Sequence, residues 1–208
     1  MCVIAMLLWV TLPAAASEVL AQFSTDYPGN RQAALCLARR AFDAYCLQRH
    51  SLSVPSDLPP ALRLRSGVFV SAMADGAPRC CMGTLYPTQP TLAHEIVAAA
   101  RAAAAADMRF PPIRPDELPR LRLIVSIVAP PEAVLDPWSL DPLVDGVAVR
   151  SAMGTGVSLP GESPHLSRLI DWARVRSRAE AGEPVSYFRV RAVRIVEPAD
   201  ATATAPPK

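Results

Sequence analysis

Cys80 and Cys81 are adjacent thiols in the run Arg79-Cys80-Cys81-Met82-Gly83, the most reactive side chains that this sequence places together. A cysteine is a nucleophile or redox group as the thiolate, so Cys81 needs a cation such as Arg79 or Arg109 to lower its pKa, or a base to take its proton. His94 is the nearest base in the sequence, but it stands at the start of the following helix, where a surface histidine is the simpler reading. Asp107, Arg109 and Phe110 close that helix. Asp107 with Arg109 could bind a polar ligand or form an ion pair that fixes the loop, and the second reading is preferred. Cys80, Cys81 and one of His50, His94 or His165 supply metal-binding atoms. Neighbouring cysteines in a strand diverge, however, and neither Cys-x-x-Cys nor His-x-x-x-His spacing occurs, so no metal site is expected.

The thiols are positioned by a hairpin. Asp75-Gly76 separates two apolar runs and supplies the positive φ angles of a two-residue turn. With those two residues as the loop, Ala74 pairs with Ala77, Ala72 with Arg79, Ser71 with Cys80, Val70 with Cys81 and Phe69 with Met82. Cys81 then shares a face with Val68, Val70 and Ala72, and Cys80 with Phe69, Ser71 and Met73. A one-residue slip exchanges the two faces. Pro78 cannot donate to a ladder, so the second strand should become regular only from Arg79.

Around the hairpin, Asn30 is a candidate N-cap for a helix to about Gln48, with Leu35, Ala38, Phe42 and Tyr45 as its apolar stripe. A proline-rich connection over Ser51 to Ala61 follows it. Thr91 is placed to cap a helix whose Ala98–Ala106 run suits close packing on a sheet, and Pro111-Pro112 prevents its continuation. Leu121 to Ala129 reads as a strand buried on both faces. Gly146–Ala152 and Thr155–Leu159 read as a second hairpin around Met153-Gly154. Ser163 followed by Pro164 predicts a helix up to Gly182, with Leu166, Leu169, Ile170 and Ala173 buried. Val185 to Val196 is the last strand, carrying Arg189, Arg191 and Arg194.

The chain has 208 residues, 51% of them hydrophobic and 19% charged, enough for one substantial core or two small subdomains sharing one. A formal net charge of +2 argues against a dedicated nucleic-acid binder. Val3 to Leu12 has the length of a signal-peptide core, and Ala14-Ala15-Ala16 offers a cleavage site, but no Lys or Arg precedes the run. Residues 1–17 read as a signal peptide, whose working would mean secretion or a periplasmic location, or as a non-functional apolar leader or mis-assigned start. The run is too short to span a bilayer, and no transmembrane segment is expected. Cys36 and Cys46 fall roughly 15 Å apart along one helix, beyond the reach of a disulfide, so free thiols are the simpler reading.

The succession ALCLARRAFDAY, LRLRSGVFVSAMADGAPRCCMGTL, AAADMRFPPIRPDELPRLRLIVSIVAPPE, VDGVAVRS and GVSLPGE resembles the AMMECR domain, whose prokaryotic members are called AmmeMemoRadiSam system protein A. The resemblance covers roughly Asn30 to Val196. It implies an α+β domain over residues 30–197, with two intimately associated subdomains around a largely antiparallel sheet and packed helices; the Ala, Thr and Pro composition of residues 198–208 reads separately as a disordered tail. It also implies Memo-type and radical S-adenosylmethionine proteins as partners and a cytoplasmic location; no cofactor is expected. The family's Arg-Gly-Cys-Ile-Gly motif is matched at Arg79, Cys81 and Gly83, with Cys80 in place of the glycine. A side chain there could narrow a site or add a second thiol. The family's Leu-Pro-Gln-Val reads here as Leu159-Pro160-Gly161-Glu162, and the segment after it is shortened.

Two functional readings stand at this point. The preferred one is a non-enzymatic binding or accessory module with ligand contacts at Arg79, Cys80, Gly83, Asp107, Arg109 and Phe110. The alternative is a thiol-dependent enzyme with Cys81 as its catalytic residue.

Overall fold

The structure, a computed structural model, describes residues 14–198. The expectations for the leader ahead of residue 14 and for the tail after residue 198 lie outside the described residues. The elements are α1 (Ala14–Ala21), α2 (Pro28–Gln48), β1 (Gly67–Ala74), β2 (Ala77–Thr84), α3 (Leu92–Ala105), β3 (Leu121–Val128), β4 (Glu132–Val134), β5 (Asp145–Arg150), β6 (Thr155–Ser158), α4 (Leu166–Arg176) and β7 (Ser186–Val196).

Local chemistry explains most boundaries. The α2 helix starts at Pro28, whose missing N–H costs nothing in a first turn. Asn30 is therefore inside the helix and not its cap, and its amide donates to the Gln22 carbonyl at 2.8 Å. Thr91 does cap α3, accepting the His94 N–H. The last helix was expected from Ser163 and instead begins at Leu166, because the Ser163 hydroxyl accepts the His165 N–H and closes a turn ahead of the helix. It ends at Arg176, well before Gly182, where Arg178 enters the left-handed region at φ 58°.

All the strand pairings are antiparallel, in the order β2-β1-β3-β7-β5-β6, with β4 beside β7. The long β7 is shared. Ala192 to Val196 pair with β3, and Ser186 to Arg191 pair with β5. The sheet curls, so that β2 and β6, at opposite ends of the order, border one cavity. The result is an α+β fold of two subdomains around one sheet. Helices α2 and α3 bury Val68, Val70, Ala72, Leu123, Val125 and Ile127 on the outer face of the first. Helix α4 buries Val147 and Val149 on the outer face of the second. On the inner face a third cluster, Val128, Ala148, Leu159 and Val190, joins the two.

The thiol-bearing hairpin differs from expectation in register. The turn is at Asp75 and Gly76, with φ of 50° and 80° as a two-residue loop requires, and Ala74 faces Ala77. Met73 then faces Pro78 while Ala72 faces Cys80, so Arg79 is an extra residue in β2. Pro78 has no N–H for the ladder, and a bulge absorbs the irregularity there. Beyond it every expected pair is displaced by one: Ser71 faces Cys81, Val70 faces Met82 and Phe69 faces Gly83. The faces of the two thiols are thereby exchanged. Cys80 goes with Val70 and Ala72 into the helix-covered core, and Cys81 goes with Phe69, Ser71 and Met73 onto the inner face.

Candidate functional site

Strand β2 is an edge of the sheet, so alternate backbone groups along it lack a strand partner. At Cys81 two side chains take that place. The Cys81 N–H donates to Asp107 Oδ2 at 2.9 Å, and the Cys81 carbonyl accepts from Arg109 Nη2 at 3.3 Å. Arg109 grips the same carboxylate through Nε at 2.9 Å and Nη2 at 2.6 Å. The pair expected to fix the loop after α3 thus also clamps the thiol's own peptide.

Burial alone would raise the Asp107 carboxyl, but the hydrogen bonds from Arg109 and from the Cys81 and Arg109 N–H groups outweigh it and hold it below the usual carboxylate range. A depressed carboxyl stabilises the fold above its unfolded pKa, and that stabilisation is lost as pH falls through the folded value. Asp107→Asn is accordingly expected to cost about 1–2 kcal/mol near neutral pH, allowing for the partly exposed Arg109. The gap to the parent protein should close as pH falls below about 4, which urea titrations at several pH values would measure.

Cys81 is half-buried on a ridge between two cavities of about 490 and 330 Å³. Cys81, Arg109, Leu159, Glu162 and Arg176 border both. Its thiol is pushed up by burial, and Glu162 adds to this. The hydrogen bond with Ser71 and the charges of Arg109 and Arg176 offset the effect only in part. At neutral pH the group is a thiol.

The other sequence candidates fall in different places. Cys80 borders the smaller cavity yet is only 2% exposed, belongs to the larger core, and has its thiol pushed up to about 12 by burial. It adds no second reactive thiol to the cleft. Arg79 borders neither cavity that Cys81 borders. It holds Glu117 in two contacts at 2.7 and 3.1 Å and reaches the Pro111 carbonyl at 3.0 Å. That makes it a strut for the 111–117 segment. Arg79 and Arg109 both lie over the ring of Phe110, 5.9 and 5.6 Å from its centre, and Phe110 borders the smaller cavity. Gly83 borders the larger cavity, where a Cβ would come 2.1 Å from the Val68 carbonyl oxygen, so glycine is required by the close pairing with β1. His94 is exposed and bonded to Thr91 through Nδ1 at 2.7 Å. It borders neither cavity, so it is not placed as a base for Cys81.

Several residues of the cleft were given no role from the sequence. Glu162 pairs with Arg176 at 3.0 Å, and Arg176 also stacks over Trp172 on its own helix. The signal for that stack was the spacing of an aromatic and a cation four residues apart on one helical face. Arg150 lies over Phe188 at the rim of the larger cavity. Ser126 borders the smaller cavity and is fully buried, with its hydroxyl unpartnered among the described residues. Such a group carries a penalty of about 1–3 kcal/mol. No cluster of three or more His, Cys, Asp or Glu side chains suited to a metal occurs among the described residues, and no helix among them is long and apolar enough to cross a membrane.

Fold and cleft together define a two-subdomain α+β protein built around a curled antiparallel sheet, with a protonated thiol and several arginines between its ends. The chain belongs to the AMMECR1 family, whose model matches residues 35–175. A protein of Thermotoga maritima is 46% identical over 109 residues, covering 52% of this chain and 61% of the relative. A protein of Methanothermobacter thermautotrophicus is 37% identical over 130 residues, covering 60% of this chain and 67% of the relative. The chain therefore spans about three fifths of the Thermotoga relative that it matches. The crystal structure of an uncharacterized protein from Pyrococcus horikoshii is similar with a TM-score of 0.70 and 26% identity, covering 77% of this chain and 88% of that one.

Proposed function

We propose that this AMMECR1-family chain is a non-enzymatic accessory module whose cleft between the two subdomains holds a small ligand or a segment of a partner protein. The observation that carries this reading is a cavity of about 490 Å³ reached by both ends of the sheet, within the size range of ligand sites, beside a thiol that burial keeps protonated. A nucleophilic cysteine needs the opposite: a lowered pKa or a base within hydrogen-bond reach. The Memo-type and radical S-adenosylmethionine proteins implied by the resemblance are the first partners to try.

The test is the pH dependence of iodoacetamide alkylation, cysteine by cysteine, on the folded chain. Among the cysteines of the described residues, exposed Cys36 is expected to react first, and Cys46 and Cys80, pushed up to about 11 and about 12, only on unfolding. Cys81 should alkylate slowly and gain rate only above the free-thiol value of about 8.5. A Cys81 that titrates well below that value would replace this reading with the thiol-dependent enzyme. A pull-down without a partner, together with a ligand screen without a thermal shift, would remove the binding module.

A further inference from the structure

We propose that the smaller cavity is a subsite for a small monocarboxylic acid with an apolar or aromatic body, its carboxylate received by Arg194 and Ser126; this deepens the binding-module reading and rests on it. Ser126 and Arg194 are direct cross-strand partners of β3 and β7, so their side chains stand together on the inner face of the sheet. Both border the cavity of about 330 Å³. Ser126 is fully buried, and its Oγ has neither donor nor acceptor engaged among the described residues. A buried hydroxyl in that condition marks a place where a polar partner belongs.

Charge then selects the partner. Three arginines border this cavity. Arg109 is paired with Asp107, and Arg176 with Glu162. Arg194 has no carboxylate within ion-pair distance among the described residues, and its guanidinium donates only to the Pro160 carbonyl at 3.2 Å. One uncompensated cation beside one free hydroxyl matches a single negative charge with two acceptor oxygens. The remaining walls match an apolar body, since Met73, Phe110, Ile124, Leu159 and Trp172 supply them. A phosphate dianion fits this set poorly. It would leave oxygens without donors, and its second negative charge would add to the repulsion from Glu162.

Calorimetric titration of the full chain with benzoate, benzyl alcohol and inorganic phosphate tests this. Benzoate is expected to saturate, with benzyl alcohol and phosphate at least about tenfold weaker, the worth of one charge-assisted hydrogen bond. Arg194→Met should weaken benzoate by about tenfold or more, and Ser126→Ala by about threefold, while Arg101→Met on the exposed side of α3 leaves it unchanged. Ser126→Ala removes an unpartnered hydroxyl and should not lower the thermal midpoint, so its loss of affinity is readable even if Arg194→Met folds poorly. The subsite is overturned if Arg194→Met binds benzoate like Arg101→Met, if benzyl alcohol or phosphate binds as tightly, or if benzoate fails to saturate by about 10 mM. In any of those outcomes the wider cleft is judged separately, by the pull-down and the thermal screen.

Discussion

Gly156→Ala is expected to lower the thermal midpoint by about 6–12 °C, the equivalent of roughly 3 kcal/mol in a chain of this size. An added Cβ would stand 2.0 Å from the Ala173 carbonyl oxygen and 2.3 Å from the Ser177 nitrogen. Both are backbone atoms of α4 and its C-cap, so no rotamer change relieves the overlap. The helix must back away from β6, loosening the packing of Ala173, Leu169 and Ile170 on Val147 and Val149. The same retreat carries Trp172 and Arg176 off the smaller cavity. Gly29→Ala is the control. Nothing lies within 4 Å of its added Cβ, and alanine in a first helical turn should be neutral or slightly stabilising. Calorimetric scans of the two variants measure the difference directly, and equal midpoints would mean that α4 does not press on Gly156.

Glu95→Ala should cost about 3 kcal/mol or more, by the loss of a buried acceptor that leaves several donors unpaired. Glu95 is 2% exposed on α3, and its carboxylate accepts from the Thr84 and Thr88 hydroxyls and from the Thr88 and Gln89 N–H groups, at 2.7 to 2.9 Å. It is the post to which the connection from β2 to α3 is tied. Leu85, Tyr86 and Thr88 of that connection border the larger cavity, so the stability loss and the cleft are linked. Hydrogen exchange should show the Thr88 and Gln89 amides losing protection before the amides of β1 do. Glu95→Gln, which keeps one acceptor oxygen, should fall between the parent and the alanine variant. Unchanged exchange at Thr88 and Gln89 would refute the anchoring role.

The features that follow from short-range chemistry were legible in the sequence. Asp75-Gly76 fixed the hairpin turn, Thr91 the start of α3, and the Leu121–Val128 run a strand buried at every position but Arg122. The register of the hairpin was not legible. Pro78 was recognised as unable to join the ladder, but whether the strand skips a residue there depends on Arg79 finding Glu117, a partner 38 positions away. That one bulge decides which thiol faces the cleft. Glu162 drew notice only as a departure from the family pattern, and its role as the partner of Arg176 depends on where α4 docks. Ser126 was hidden inside an apolar run. Nothing local distinguishes a serine with an unpartnered hydroxyl from one bonded to backbone.

Both subdomains take a strand from the same late segment, and this has a consequence for synthesis. Until Ser186–Val196 has left the ribosome, β3 has β1 on one side and nothing on the other. Its free edge is then Leu-Arg-Leu-Ile-Val-Ser-Ile-Val, a run with the composition of aggregation-prone segments, interrupted by a single charge. Roughly 60 residues separate β3 from β7, and at about 5–20 residues per second the edge stays open for about 3–12 s. The finished sheet conceals its most adhesive strand, and the nascent chain displays it.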